Sequence, residues 1–209
     1  MAAEARFAAA LTLHQRGRIA EARAGYLEVL ALLPGHAPAV HHLGIIALQR
    51  GQPAEAIQHF RTALAMAGND CALHVNLAHA QALCGRMTDA LSSLDQALHL
   101  NPRFSGAMVA KGNALLDMGR AADALAVFEH AAATGTDEVD AINGAGIALL
   151  ELGRAAEALP FFTRAIERAP SAPIYHLNRA LAHAQLRNAE ATLRDCGRSR
   201  ALGHVTAQL

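Results

Sequence analysis

Residues 37–70 read APAVHHLGIIALQRGQPAEAIQHFRTALAMAGND, two apolar stripes parted by a glycine. Over 40–49 the apolar residues Val40, Leu43, Gly44 and Ala47 recur at i, i+3, i+4 and i+7, which is one face of an α-helix. Gly51 then stops that helix, because a left-handed cap costs no Cβ clash there. Pro53 opens a second helix at the position where proline is favoured. Over 54–66 Ala56, Phe60 and Ala63 share one stripe, and Gly68 closes the segment. The small Ala56 admits the first helix, and the aromatic ring four residues on fills the space beside it. The stretch is a helix–turn–helix unit.

The unit recurs along the chain. Gly17, Gly51, Gly85, Gly119 and Gly153 are spaced by 34 residues. Ala22, Ala56, Ala90, Ala124 and Ala158 follow at the same interval, as do Tyr26, Phe60, Leu94, Phe128 and Phe162. Pro34, Pro102 and Pro170 fall in register as helix stops. Four coincident ladders do not arise by chance, and a period of this length marks a repeat architecture.

Composition fits that reading and limits function. Of the 209 residues 53% are hydrophobic and 17% charged, enough apolar content to bury a core. Acids and bases number 18 each, so the chain lacks the basic excess of a non-specific nucleic-acid or anionic-membrane binder. Alanine abundance favours helix. Lys111 is the one lysine among 18 basic residues, a bias pointing to GC-rich bacterial coding. Cys71, Cys84 and Cys196 are odd in number and show no Cys-x-x-Cys spacing, so a reducing compartment is expected and no disulfide framework. The start carries Glu4 and Arg6 without a long apolar core, which does not read as a secretory signal. Apolar runs fall far short of the roughly 20 residues that span a bilayer. A cytoplasmic protein without membrane insertion is the expectation.

His-Leu-Gly at 42–44 with Ala56, Phe60 and Ala63, and Asn-Leu-Ala at 76–78 with Ala90, Leu94, Ala97 and Pro102, resemble the tetratricopeptide repeat family. The resemblance covers residues 3–206 and is specific for fold, not for function. It implies an all-α, right-handed superhelical α-solenoid of antiparallel helix pairs. As a single domain it divides into repeats 3–36, 37–70, 71–104, 105–138, 139–172 and 173–206. Departures carry expectations of their own. The fourth repeat ends Thr134-Gly135-Thr136 without the stop proline, so an irregular joint is expected there. Pro160 falls two turns into a helix, early enough to cost little hydrogen bonding. The last repeat has Arg187 in the glycine slot, Thr192, Cys196 and Ser199 in the Ala/Phe/Ala slots, and further arginines at 194, 198 and 200. Such a degenerate polar repeat is expected to cap the stack.

In each first helix positions 4, 7, 8 and 11 form the buried stripe, leaving 2, 5, 6, 9, 12 and 13 opposite. In the resembled family that side lines a concave ligand groove. Carried over, it assigns Phe7, Leu11 and His14, then His41, His42, Ile45 and Gln49, then Asn76 and His79 as candidate peptide-binding residues. Asn113 and Asp117, then Asn143, Ile147 and Glu151, then Asn178 and Leu181 continue the set. The remaining positions on that side include Glu4, Asp140, Ile174, Leu177 and Gln185, and no Lys or Arg occurs at any of them. That argues against the family members that clamp an acidic peptide C-terminus with Lys and Arg over consecutive repeats. Lys111-Gly112-Asn113 and Asn178-Arg179 each match only a fragment of the clamp. Aliphatic side chains suit the apolar face of a partner helix, and amides suit an extended backbone.

His41, His42, His74 and His79 lie on adjacent first helices, but no His-x3-His pair shares a face, and no metal site is expected. With ordinary pKa near 6.5 they would make binding pH-dependent. No Gly-x-x-x-x-Gly-Lys, Gly-x-Ser-x-Gly or His-Glu-x-x-His occurs, and Gly144-Ala145-Gly146 lacks the strand of a dinucleotide site. Glu55, Asp123 and Glu157 sit where they complement a helix dipole. No catalytic residue or cofactor is therefore assigned. The expected function is a non-catalytic scaffold that binds a protein or peptide. The alternatives are a recognition arm of a larger bacterial glycosyltransferase or sulfotransferase, and a self-associating homo-oligomer.

Overall fold

A computed structural model describes residues 2–133 and 139–203. Those residues form twelve helices and no strand. The helices are α1 Ala2–Gln15, α2 Ile19–Leu32, α3 Ala37–Gln49, α4 Pro53–Ala67, α5 Cys71–Leu83 and α6 Met87–Leu100. They continue as α7 Ser105–Asp117, α8 Ala121–Ala133, α9 Val139–Glu151, α10 Ala155–Arg168, α11 Pro173–Gln185 and α12 Ala189–Ala201. The chain divides into two compact units, 1–104 and 105–209, at the boundary between the third and fourth 34-residue copies. The expected irregular joint at Thr134-Gly135-Thr136 lies outside the described residues, as do residues 204–209.

Within each unit every odd-numbered helix folds against the next even one as a hairpin. Each hairpin packs on its successor, α2 on α3 and α4 on α5 in the first unit, α8 on α9 and α10 on α11 in the second. First helices also touch directly, α3 with α5, and α9 with both α7 and α11.

The turn glycines do what the ladder implied. Gly51 sits at φ 69°, and the following Gln52 N–H reaches back to the Ala47 carbonyl at 2.8 Å, satisfying a helix-end acceptor. In the last hairpin Arg187 adopts φ 57°, and Asn188 N–H makes the same back-bond to His183 at 2.9 Å. The turn forms without glycine, at a steric cost of about 1–2 kcal/mol. Just past four of these turns an arginine grips the acid three residues on: Arg18 with Glu21, Arg86 with Asp89, Arg120 with Asp123 and Arg154 with Glu157. These exposed pairs contribute little each, but they fix the entry of the second helix.

The cores consist of the ladder residues. Ala22, Ala56, Ala124 and Ala158 are fully buried, and so are Tyr26, Phe60, Phe128 and Phe162. A Cβ on Gly44 would stand 2.5 Å from Phe60 Cε1, and on Gly146 2.6 Å from Phe162 Cε1. Glycine in the first helix is thus the seat of the aromatic ring. Helix α10 runs unbroken through Pro160. The last hairpin is polar inside as well as outside: Asp195 and Ser199 are buried, and Ser199 Oγ donates to the Pro173 carbonyl at 2.8 Å.

Candidate binding surface

Three neighbouring pairs of first helices, α1 with α3, α3 with α5 and α9 with α11, are tied by side chains one residue out of repeat register, 35 residues apart in sequence. In the first unit His14 Nε2 meets Gln49 Oε1 at 3.0 Å, and His41 Nε2 meets Asn76 Nδ2 at 2.7 Å. In the second, Tyr175 Oη donates to Asp140 Oδ1 at 3.2 Å, Asn178 Nδ2 to Asn143 Oδ1 at 2.8 Å, and Gln185 Nε2 to the Leu150 carbonyl at 3.5 Å. The offset follows from the geometry of parallel first helices, each side chain leaning toward the next helix in line. These rungs draw the face assigned by position, and they engage several amides that the sequence offers as free hydrogen-bonding groups. Asn178 is buried, while Asn76 and Asn143 are half-buried.

In the first unit the face is aromatic. The His42 ring stacks on Tyr26 with centroids 5.2 Å apart, and Phe7, His14 and His41 surround it at 5.4–5.8 Å. Burial and the neighbouring His41 and His14 push the His42 pKa down to about 4. Burial also lowers His41 and His74, against an opposing pull from Asp70. Burial raises the Tyr26 phenol to about 12. The histidines that meet are therefore His14, His41 and His42. Among the described residues His74 and His79 make no ring contact with them, and His79 is exposed. Phe7 and Ile45 pack partly against the cores beneath, and Leu11 is half-buried beside them. Gln49 is exposed despite its bond to His14.

The second unit's face is aliphatic and acidic. Asn113 and Asp117 on α7, Asp140 and Glu151 on α9, and Leu181 on α11 are exposed, with Ile147 half-buried between them. Position in the repeat missed three contributors. Tyr26 comes from a second helix and Tyr175 from a position that faces the preceding hairpin. His36 precedes α3, where its Nδ1 accepts from Ala39 N–H while Nε2 lies 3.4 Å from Glu4. No spacing within one repeat marks Tyr175, because its bond to Asp140 depends on how α11 leans on α9.

Three models of the tetratricopeptide repeat match the sequence, one over 3–24, one over 47–109, and one over 109–173 and again over 143–193. The chain belongs to the tetratricopeptide repeat family. A tetratricopeptide repeat protein from Parabacteroides merdae superposes with a TM-score of 0.83 at 19% identity, over 98% of this chain and 81% of its own. PilF of Pseudomonas aeruginosa gives 0.82 at 18%, covering 98% and 93%. YrrB, described as having an unusual peptide-binding site, gives 0.63 at 15%, covering 85% and 92%. At such identities the likeness is one of fold. No curated protein matches. Against the family's carboxylate clamp, Arg179 does not join Asn178 on the face. Its guanidinium turns to α12 and bonds both Asp195 oxygens at 2.7 and 2.8 Å. Burial pushes the Asp195 carboxyl up, but Arg179, with His176 and His183, holds it below its ordinary value. No described helix is long and apolar enough to cross a membrane.

Proposed function

We propose that this chain is a non-catalytic scaffold whose first-helix faces hold a peptide or helix of a partner protein. The ladder of rungs carries the reading. It holds α1, α3 and α5, and likewise α9 and α11, in fixed register and ties up several of their polar side chains, while aliphatic side chains stay open between the ties. Ile174 is 41% and Leu181 51% exposed on that face. Aliphatic groups beside satisfied polar ones gain most by covering an apolar partner surface. The peptide-binding site named for YrrB supports the same class of ligand here.

Peptide selection on the full chain, followed by anisotropy titration of a selected peptide, tests this. Leu181→Asp and Ile174→Asp are expected to weaken binding by about tenfold or more with helical circular dichroism unchanged. Leu193→Asp, at a leucine 73% exposed on α12, is expected to bind as the parent does. Unaltered binding in the first two variants would sink the reading.

A further inference from the structure

The second unit's face differs in charge from the first unit's. Repeat position 13, at the C-terminal end of each first helix, is Gln15, Gln49, Leu83 and Gln185 in four repeats, but Asp117 and Glu151 in the fourth and fifth. Asp117 is the last residue of α7 and Glu151 the last of α9. A helix C-terminus carries partial negative charge, so a carboxylate there is disfavoured and a cation favoured. Two touching first helices thus end in acids where the helix dipole disfavours them.

Nothing on this face answers that charge. Asp140 adds a third exposed carboxylate, already accepting one bond from Tyr175. No Lys or Arg occupies a first-helix position on this face, and four of the second unit's nine arginines pair elsewhere: Arg120 with Asp123, Arg154 with Glu157, Arg179 with Asp195 and Arg194 with Glu190. Among the described residues neither Asp117 nor Glu151 has an ion-pair partner. Alongside the acids lie the exposed Ile174 and Leu181 and the half-buried Ile147 and Leu116. The three rungs between α9 and α11 make this one continuous surface, with α7 against α9.

We infer that the first-helix face of the second unit receives a cationic amphipathic segment, with aliphatic side chains over Ile147, Ile174 and Leu181 and Lys or Arg set against Asp117 and Glu151. This rests on the scaffold reading and names its ligand class. The incoming cations complete what the helix ends lack, so the acids supply specificity and steering while the aliphatic floor supplies the buried area. The first unit, with Gln15 and Gln49 at the equivalent ends, has no such preference.

Two labelled peptides with the same leucine spacing decide it, one with Lys and Arg at its polar positions and one with Glu. Titrated into the full chain, the basic peptide is expected to bind and the acidic one to bind at least about tenfold more weakly. Raising salt from about 50 to about 500 mM should weaken the basic peptide markedly, as the charges become screened. Asp117→Asn with Glu151→Gln should reduce its affinity about tenfold while leaving the thermal midpoint the same or higher, since both carboxylates oppose their helix dipoles. Equal binding of both peptides, or an unaltered affinity in the double variant, overturns the cationic assignment. Loss of that binding in Leu181→Asp would then still uphold the scaffold reading. Binding that survives Leu181→Asp overturns both.

Discussion

Phe128 lies between two glycines of its own unit. A Cβ on Gly112 would come 2.4 Å from its Cζ, and one on Gly144 2.5 Å from its Cε1. The pattern runs through the chain: Gly44 faces Phe60 and Gly146 faces Phe162, whereas Ala78 stands in the equivalent slot where Leu94 replaces the ring. Ala10 departs from it, and there the glycine stands on the second helix instead: a Cβ on Gly25 would come 2.8 Å from Ala10 Cβ. Gly112→Ala should therefore destabilise the second unit by about 1–2 kcal/mol, overpacking outweighing the helix propensity gained. Denaturant unfolding would show this, and a Phe128→Leu background should remove most of the penalty. Gly144-Ala145-Gly146 reads as a small-residue stretch in sequence, and its purpose lies in two phenylalanine rings from different helices.

His42 supplies a pH prediction at the same scale. Its ordinary pKa near 6.5 applies when unfolded, and about 4 when folded. Between those values the unfolded chain binds the extra proton, so stability is complete above about 6.5 and declines as pH falls toward 4. His42→Phe, which keeps the stack on Tyr26, should flatten that decline by about 1–2 kcal/mol between pH 7 and 4.5. Urea midpoints at the two pH values measure it, and an unchanged slope would contradict it.

At the scale of the element, the hairpin α11–α12 holds an ion pair between its two helices, Arg179 with Asp195. Arg179 and Asp195 stand where Leu77 and Ser93 stand in the third repeat, or Leu43 and His59 in the second. Asp195→Asn leaves the guanidinium of Arg179, only 23% exposed, without its counter-charge. The expected loss is about 3 kcal/mol in the stability of this hairpin, whereas Arg179→Met with Asp195→Leu should lose far less. Hydrogen exchange of α11 and α12 amides distinguishes the two. Reading 173–206 as a degenerate repeat captured its exposed arginines 187, 194, 198 and 200. It missed the internal pair, because Arg179 and Asp195 are 16 residues apart and fit no local pattern.

Across the whole chain, stability in such arrays is a sum of repeat and neighbour terms. Residues 1–104 and 105–209 each hold three complete hairpins with their own cores. Each half expressed alone should give a cooperative thermal transition and helical circular dichroism, and a molten, uncooperative half would refute this. The helices, their turns and their buried stripes were legible in one sequence, because each depends on a period of 3.6 or 34 residues and on glycine or proline at fixed slots. The side of the first helices that carries the candidate site was legible for the same reason. The rungs at 35-residue spacing, the ring cluster around His42 and the inward turn of Arg179 were not. Each joins residues from different helices, and their meeting depends on how one hairpin leans on the next, which no spacing within a single helix encodes.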